Sequence, residues 1–165
     1  GNGFDDCEAG SMCWDFVRYP EGVCVAFCTG SRTDPGCADP GSVCNVTGDG
    51  LATCDPQCDP LDPLTCPEGQ GCYPVGSTTL VCAPDASGEE GGVFEPCDVL
   101  NSCDPGSYCA DADLVGQCGM EASSCCTPYC ALDAPSCPEG TQCLPLFDEG
   151  AGPPNGENIG SCGTP

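Results

Sequence analysis

The sequence predicts a small disulfide-rich fold, in which tandem short β-hairpin units form an elongated array with little or no helix. Three observations support this. Cysteine accounts for 21 of the 165 residues, the composition of a disulfide scaffold. A cysteine–turn–cysteine motif recurs five times along the chain. The larger apolar residues (Val, Leu, Ile, Met, Phe, Trp and Tyr) number only 32, too few for the single hydrophobic core of a domain this long.

Each repeat is built on a short core, in which a turn separates two cysteines and Gly lies three residues before the second. The five cores are residues 7–13, 37–44, 66–72, 103–109 and 137–143. Turn sequences such as Pro-Glu-Gly and Asp-Pro-Gly recur in them, because Pro presets φ and Gly accepts a positive φ. Several of the following segments have β-branched residues around a Gly-containing tip, which predicts a β-hairpin. A third cysteine closes the hairpin, and in four repeats another cysteine precedes the core.

The order of the repeats predicts two halves. The first half, residues 1–82, holds repeats one to three, and the second half, residues 97–165, holds repeats four and five. Residues 83–96 contain no cysteine and are rich in Gly and acidic residues, which predicts a linker. The predicted repeats are residues 7–24, 28–54, 58–82, 97–118 and 130–162. The fifth has an enlarged hairpin loop, Asp148–Asn158.

The cysteines favour disulfides over a metal–thiolate cluster. Zinc and iron–sulfur sites use C-x-C or C-x-x-C pairs and often histidine, and the sequence has none of these. A bridge that closes a loop of about 15 residues contributes about 3 kcal/mol in the chain-entropy model, so about ten bridges can replace the missing core. Disulfides indicate an oxidising compartment, which predicts a secreted or cell-surface protein. Because the chain opens on Gly1 without a signal peptide, we expect a mature chain whose leader has been removed.

Within a complete repeat we predict that the cysteines pair first to third and second to fourth, for example Cys58–Cys72 and Cys66–Cys82. The reason is that the turn offsets the two core cysteines, so that each reaches a different neighbouring strand. Four cysteines allow three connectivities, and this is one of them. We also expect at most one free thiol in the chain.

The odd number of cysteines predicts either a free thiol or a bond to another molecule. The first repeat has three cysteines, and the pairing scheme leaves Cys13 as the orphan. Cys125 and Cys126 belong to no repeat, and a bridge between adjacent cysteines would close a strained ring. We expect one of these two to complete the first repeat, within the chain or from a neighbouring subunit. The second arrangement would build a head-to-tail filament.

The chain is strongly acidic. It has 26 Asp and Glu residues against Arg18 and Arg32, with no lysine and a formal charge of −24. This excludes nucleic-acid binding, which needs basic patches, and disfavours anionic membrane surfaces. No apolar run reaches the length of a membrane span.

Acidic loops make calcium the one candidate ion, since Ca²⁺ takes six to eight oxygen ligands. None of these loops matches the EF-hand pattern, and Asp before Pro also favours plain turns. The candidate ligands are Asp55, Asp59, Asp62, Asp111 and Asp113.

Asn45 is a candidate for N-glycosylation. Asn45-Val46-Thr47 is the one sequon of the chain, and it precedes a Gly-Asp-Gly hairpin tip where exposure is expected.

The residue types argue against an enzyme. Without histidine, the Ser-His-Asp and Cys-His arrangements are impossible, and without lysine there is no Schiff-base residue. Paired carboxylates would need a cleft, which small units do not offer. We therefore predict no catalytic residue and no cofactor other than the calcium candidate.

The C-x₃-C spacings with the C-P-E-G-x-x-C and C-D-P-G-x-Y-C cores resemble the cysteine-rich secreted proteins of myxobacteria and related bacteria, and more loosely the EGF-like modules of matrix proteins. The resemblance covers residues 7–162 and implies secretion or surface display. The predicted function is a structural subunit of an extracellular fibre, sheath or surface layer, with self-association or binding to other extracellular proteins. The alternative is a secreted binding module, either a Ca²⁺-dependent adhesin or a protease inhibitor.

Overall fold

The fold consists of short antiparallel hairpins in two compact units. The computed structural model describes residues 7–16, 19–31, 33–46, 50–119, 122–153 and 156–165. Residues 1–57 form one unit and residues 58–165 the other, here called the N-terminal and C-terminal units. The division falls between repeats two and three, whereas the sequence predicted it at residues 83–96. The predicted class, a small disulfide-rich fold of β-hairpins, is confirmed.

Three antiparallel strand pairs are described in the N-terminal unit. Strands β1 and β2 form the hairpin of repeat one, β3 and β4 a short hairpin inside repeat two, and β5 and β6 the main hairpin of repeat two. Their bounds are Ser11–Phe16, Tyr19–Ala26, Thr29–Ser31, Asp34–Gly36, Ser42–Val46 and Ala52–Pro56. A bridge between Phe27 and Thr53 connects the two repeats.

The C-terminal unit has one hairpin and one four-stranded antiparallel sheet. Strands β7 and β8 pair in repeat three, and the sheet order is β11-β12-β10-β9. The strand bounds are Gln70–Val75, Thr79–Pro84, Ser107–Asp111, Ser124–Ala131, Gln142–Pro145 and Ile159–Gly163 for β7 to β12. The helix α1 has four residues, Ala112–Val115, and a 3₁₀ turn spans Gly156–Asn158. The described chain thus has little helix.

Every repeat core closes as the predicted turn. In all five, the residue after the core Gly donates its backbone N–H to the carbonyl three residues earlier, as in Gln70 to Pro67 at 3.0 Å. The core Gly has a positive φ in four repeats, for example +79° at Gly69. The second repeat, whose core is one residue longer, instead uses an Asp39 carboxylate that accepts the N–H of Gly41 at 3.0 Å.

Repeats three, four and five share one apolar core. Tyr73, Leu80, Val115 and Ile159, from different repeats, pack in the same cluster. Two tyrosine hydroxyls tie the repeats together: that of Tyr73 donates to the carbonyl of Cys103 at 2.9 Å, and that of Tyr129 donates to the carbonyl of Cys72 at 3.0 Å. Burying these groups requires such partners, because an unpaired buried hydroxyl is costly. The C-terminal unit is therefore held by packing as well as by disulfides.

Residues 83–96, predicted as a linker, are packed in the structure. The N–H of Phe94 donates to the carbonyl of Cys126 at 2.8 Å, and the N–H of Cys126 donates to the carbonyl of Glu95 at 2.9 Å. Ala86 donates likewise to Asn101 at 2.9 Å, and the Phe94 side chain packs on the shared core. Strand β10 thus bonds the backbone at the end of this segment, which composition alone did not show.

Candidate functional site

Ten disulfides link twenty of the 21 cysteines, with Cα–Cα distances of 5.5–5.9 Å. The predicted pairs Cys58–Cys72 and Cys66–Cys82 are confirmed. The first-to-third and second-to-fourth scheme also holds in repeats two and five. The reason is geometric: the third and closing cysteines lie opposite each other on the hairpin, and each bonds a different earlier cysteine.

The fourth repeat closes at Cys126, whereas the sequence predicted its end at Cys118. Cys126 is the residue opposite Cys109 in the hairpin of β9 and β10, and it bonds Cys103. Three residues later, Tyr129 donates its N–H to the core Gly106 at 3.0 Å. The residue three positions after the closing cysteine makes the same bond in repeats one to three. Cys126 and Cys130 have the same C-x₃-C spacing that joins the earlier repeats, and this spacing could have identified Cys126 as the closing cysteine from the sequence.

The segment between β9 and β10 is an insertion into the fourth repeat. It contains α1 and is closed by the bond between Cys118 and Cys125. Successive side chains of a strand point to opposite faces, so Cys125 and Cys126 on β10 serve different clusters. Cys125 packs in the shared core, while Cys126 packs with Cys97 and Cys103. Both sulfurs are used within the chain, and the structure leaves neither to complete the first repeat.

Cys13 carries the free thiol, and its side chain is exposed. It lies on β1 opposite Cys24, which is bonded to Cys7. In each of the other four repeats the corresponding cysteine is bonded to the cysteine that precedes the core. The first repeat therefore presents one unbonded sulfur at a position that is cross-linked everywhere else, as the pairing scheme predicted.

Of the calcium candidates, Asp55 lies in the N-terminal unit and the other four lie in the C-terminal unit, where Asp59 and Asp62 line the same pocket. The carboxylates of Asp59 and Asp62 each accept the backbone N–H two residues on, at 2.9 Å, which is the Asx turn expected of Asp before Pro. Asp111 precedes α1 without capping it, and Asp113 lies in its first turn. Asp55 accepts a side-chain hydrogen bond across a hairpin, described below.

In the described part of the chain, groups of three metal-ligating side chains within 4.8 Å consist only of cysteines. All of those cysteines are in disulfides, so their sulfurs are not thiolate ligands. Calcium binding remains a prediction from the acidic residues.

Asn45 is half-buried on β5, and its amide is already hydrogen bonded. The Nδ2 atom, to which a glycan would attach, donates to the Asp55 carboxylate on β6 at 3.0 Å. Thr47, the other essential residue of the sequon, lies outside the described residues. Glycosylation remains a prediction; a glycan would replace one of the two Nδ2 hydrogens and leave one N–H for this cross-strand bond.

A tyrosine cluster in the C-terminal unit was not anticipated. The rings of Tyr108 and Tyr129 stack with centroids 5.1 Å apart. Burial raises the pKa of Tyr129 well above its ordinary value, and the neighbouring Tyr108 and Tyr73 add to the effect. Burial also raises the pKa of Tyr108. A hydrogen bond with Ser161 lowers this pKa, but burial has the larger effect. The cluster is structural, and no local pattern in the sequence marks residues so far apart.

The enlarged loop of the fifth repeat, singled out in the sequence by its length, forms part of the wall of an open cavity of about 340 Å³. Its lining combines apolar and acidic residues: Leu132, Pro145, Phe147, Asp148, Glu149, Gly150, Gly152, Gly156, Glu157 and Ile159.

The described residues include no helix with the length and apolar character needed to cross a membrane. Ten disulfides fit an extracellular protein. No protein-family model matches the chain, and neither the curated proteins nor the solved structures contain a match to it.

Proposed function

We propose that this protein is a secreted, non-enzymatic structural subunit of an extracellular fibre, sheath or surface layer. The disulfide ladder supports this role because covalent cross-links keep a small hairpin folded without a large core. The sequence offers trypsin-like proteases only Arg18 and Arg32 as cleavage sites. The resemblance to secreted myxobacterial cysteine-rich proteins agrees with this role.

The observation that carries the proposal is the exposed Cys13 thiol. It occupies a position that the other four repeats use for a cross-link, so it is presented for a bond to a second molecule. Joining two Cys13 thiols releases two protons and two electrons to an oxidant of the compartment. Because Cys125 and Cys126 are bonded internally, one thiol per chain limits covalent assembly to pairs. A polymer then also needs non-covalent contacts between pairs.

The test combines gels and electron microscopy on protein prepared under oxidising conditions. Denaturing gels without reductant should show a covalent pair that reductant converts to a single chain. Cys13→Ser should abolish the pair, because it removes the free sulfur while leaving ten disulfides. Negative-stain images should show ordered polymers. Dispersed single chains in both the wild type and Cys13→Ser, across salt and calcium concentrations, would refute the structural role.

A secreted binding module is the second candidate, and the cavity of the fifth repeat favours it. A rigid disulfide frame that carries one enlarged loop is a common way to present a recognition site. A single tight ligand, bound by single chains that do not polymerise, would support this function over the first.

A further inference from the structure

The fifth repeat departs from the others at its hairpin loop, and the cavity of about 340 Å³ is the result. Eighteen residues separate Cys143 from Cys162, compared with nine between Cys72 and Cys82 in the third repeat. Ligand sites are concave, mostly apolar and usually about 300 Å³ or larger. The cavity meets the lower end of that range. Repeat four has an insertion of sixteen residues between Cys109 and Cys126, but the bond between Cys118 and Cys125 closes it.

The floor of the cavity is apolar and held in place. The loop backbone crosses close over the Phe147 ring, so that a Cβ on Gly152 would meet ring carbon Cδ2 at 3.1 Å. At the far end of the loop, Asn158 fixes the chain from two atoms. Its carbonyl accepts the N–H of Leu132 at 2.9 Å, and its side-chain oxygen accepts the N–H of Asp133 at 3.0 Å. The site is therefore preorganised, which lowers the entropic cost of binding.

The rim of the cavity is acidic, and its charge is not cancelled. Asp148, Glu149 and Glu157 are exposed and line the opening. Residues 58–165 contain no lysine, arginine or histidine, so no side chain of the same unit can pair with these carboxylates. The rim carboxylates form no group of three within 4.8 Å, which a metal cage would need. The lining thus fits a cation that also has an apolar body.

We propose that this cavity binds a lysine or arginine side chain of a partner protein. The aliphatic stem of such a side chain would lie on Phe147 and Ile159, and its charge would meet the carboxylates at the rim. A second copy of this chain is a poor occupant, because it has no lysine and only Arg18 and Arg32 as cations. The net charge of −24 would speed the approach of a basic partner. The proposal does not depend on the structural role above.

The test is a titration of the full oxidised chain, labelled with ¹⁵N, with short peptides. The probe is acetyl-Gly-Leu-Lys-Gly-amide, and the matched control replaces its lysine by norleucine, which keeps the stem and removes the charge. We expect shifts confined to residues 131–133, 144–153 and 156–160, with binding at least about tenfold weaker for the norleucine peptide. Added salt should weaken the lysine peptide more than the norleucine peptide.

Variants distinguish the effect of the rim carboxylates on binding from the effect of the chain's overall negative charge. Asp148→Asn and Glu157→Gln should each weaken lysine-peptide binding several-fold, while Glu139→Gln, an equal charge change outside the cavity, should not. Equal binding of the two peptides, shifts elsewhere, equal effects of the three variants, or no binding at millimolar peptide would overturn the proposal. Pentylammonium is a second control. If it binds as tightly as the lysine peptide, the cavity is a site for small amines, and the proposal of a partner protein is overturned.

Discussion

The N-terminal and C-terminal units use the same repeat but hold it together differently. Among the described side chains of residues 7–57, only that of Thr53 is buried. In the C-terminal unit, Tyr73, Leu80, Tyr129 and Ile159 are buried in a core shared by three repeats. In their described part, the N-terminal hairpins therefore rely on their disulfides, whereas the C-terminal ones add apolar burial.

The difference comes from side chains at equivalent positions of one frame. Beside the third and closing cysteines, repeat three pairs Tyr73 with Val81, and repeat two pairs Asn45 with Thr53. Tyr73 and Val81 are 1% and 2% exposed, and Tyr73 packs in the shared core and bonds the carbonyl of Cys103 in repeat four. A polar pair at this point cannot contribute an apolar surface. Disulfides hold the hairpin in both repeats. The two residues beside the third and closing cysteines differ, and they are apolar only in the hairpin that joins a core.

The largest effect is expected from truncating the shared core. Leu80→Ala removes a side chain that is 1% exposed and should lower the free energy of unfolding of the C-terminal unit by about 2–5 kcal/mol. Val43→Ala, on a half-buried strand position of the N-terminal unit, is the control and should cost less than about 1 kcal/mol. Denaturant unfolding of the oxidised proteins measures both. Similar losses would contradict the contrast between the units.

Removing equivalent disulfides from the two units tests how far each unit depends on its covalent cross-links. The pairs Cys37–Cys54 and Cys66–Cys82 span 17 and 16 residues, so each loss should cost about 3 kcal/mol in the chain-entropy model. After double substitution to Ala, strands β5 and β6 should lose hydrogen-exchange protection, because only the Thr53 side chain is buried among the described ones of their unit. Strands β7 and β8 should keep most of theirs. Equal loss of protection in both hairpins would refute this expectation.

Alkaline pH should weaken the C-terminal unit through its buried tyrosines. The pKa of Tyr129 is raised in the folded state, so the unfolded chain loses this proton first as pH rises. The tyrosine's contribution is fully present below about pH 10 and falls by about 1.4 kcal/mol per pH unit above it. Tyrosinate absorbance and unfolding at several pH values measure this. In Tyr129→Phe the slope should be smaller, and an unchanged slope would assign it to other groups.

The smallest effect concerns the buried Thr53 hydroxyl. Within the described residues, this oxygen has no hydrogen-bond partner. Thr53→Val keeps the shape and should stabilise the N-terminal unit by about 1 kcal/mol. The control is Thr127→Val, which should destabilise, because the Thr127 hydroxyl donates to the carbonyl of Cys162. Thermal unfolding compares the two, and a loss of stability in Thr53→Val would mean that this hydroxyl has a partner.

The local architecture of this protein was determined by the sequence itself. Turn residues and cysteine spacing act within one repeat, so they predicted the core turns, the pairs Cys58–Cys72 and Cys66–Cys82, and the orphan Cys13. The reason is that a turn of a few residues and the hairpin after it leave the sulfurs few partners within reach.

Tertiary structure decided what depends on contacts between distant residues. Cys126 replaced Cys118 as the closing cysteine because α1 and its loop are inserted before β10 returns. Residues 83–96 became part of the C-terminal unit because β8 extends to Pro84 and β10 bonds the backbone of Phe94 and Glu95. The hydroxyl of Tyr129 reaches Cys72, 57 residues away, and the side chains that line the cavity come from separate parts of the fifth repeat. Spacing in a sequence describes neighbours along the chain, whereas packing joins residues that only the folded chain brings together.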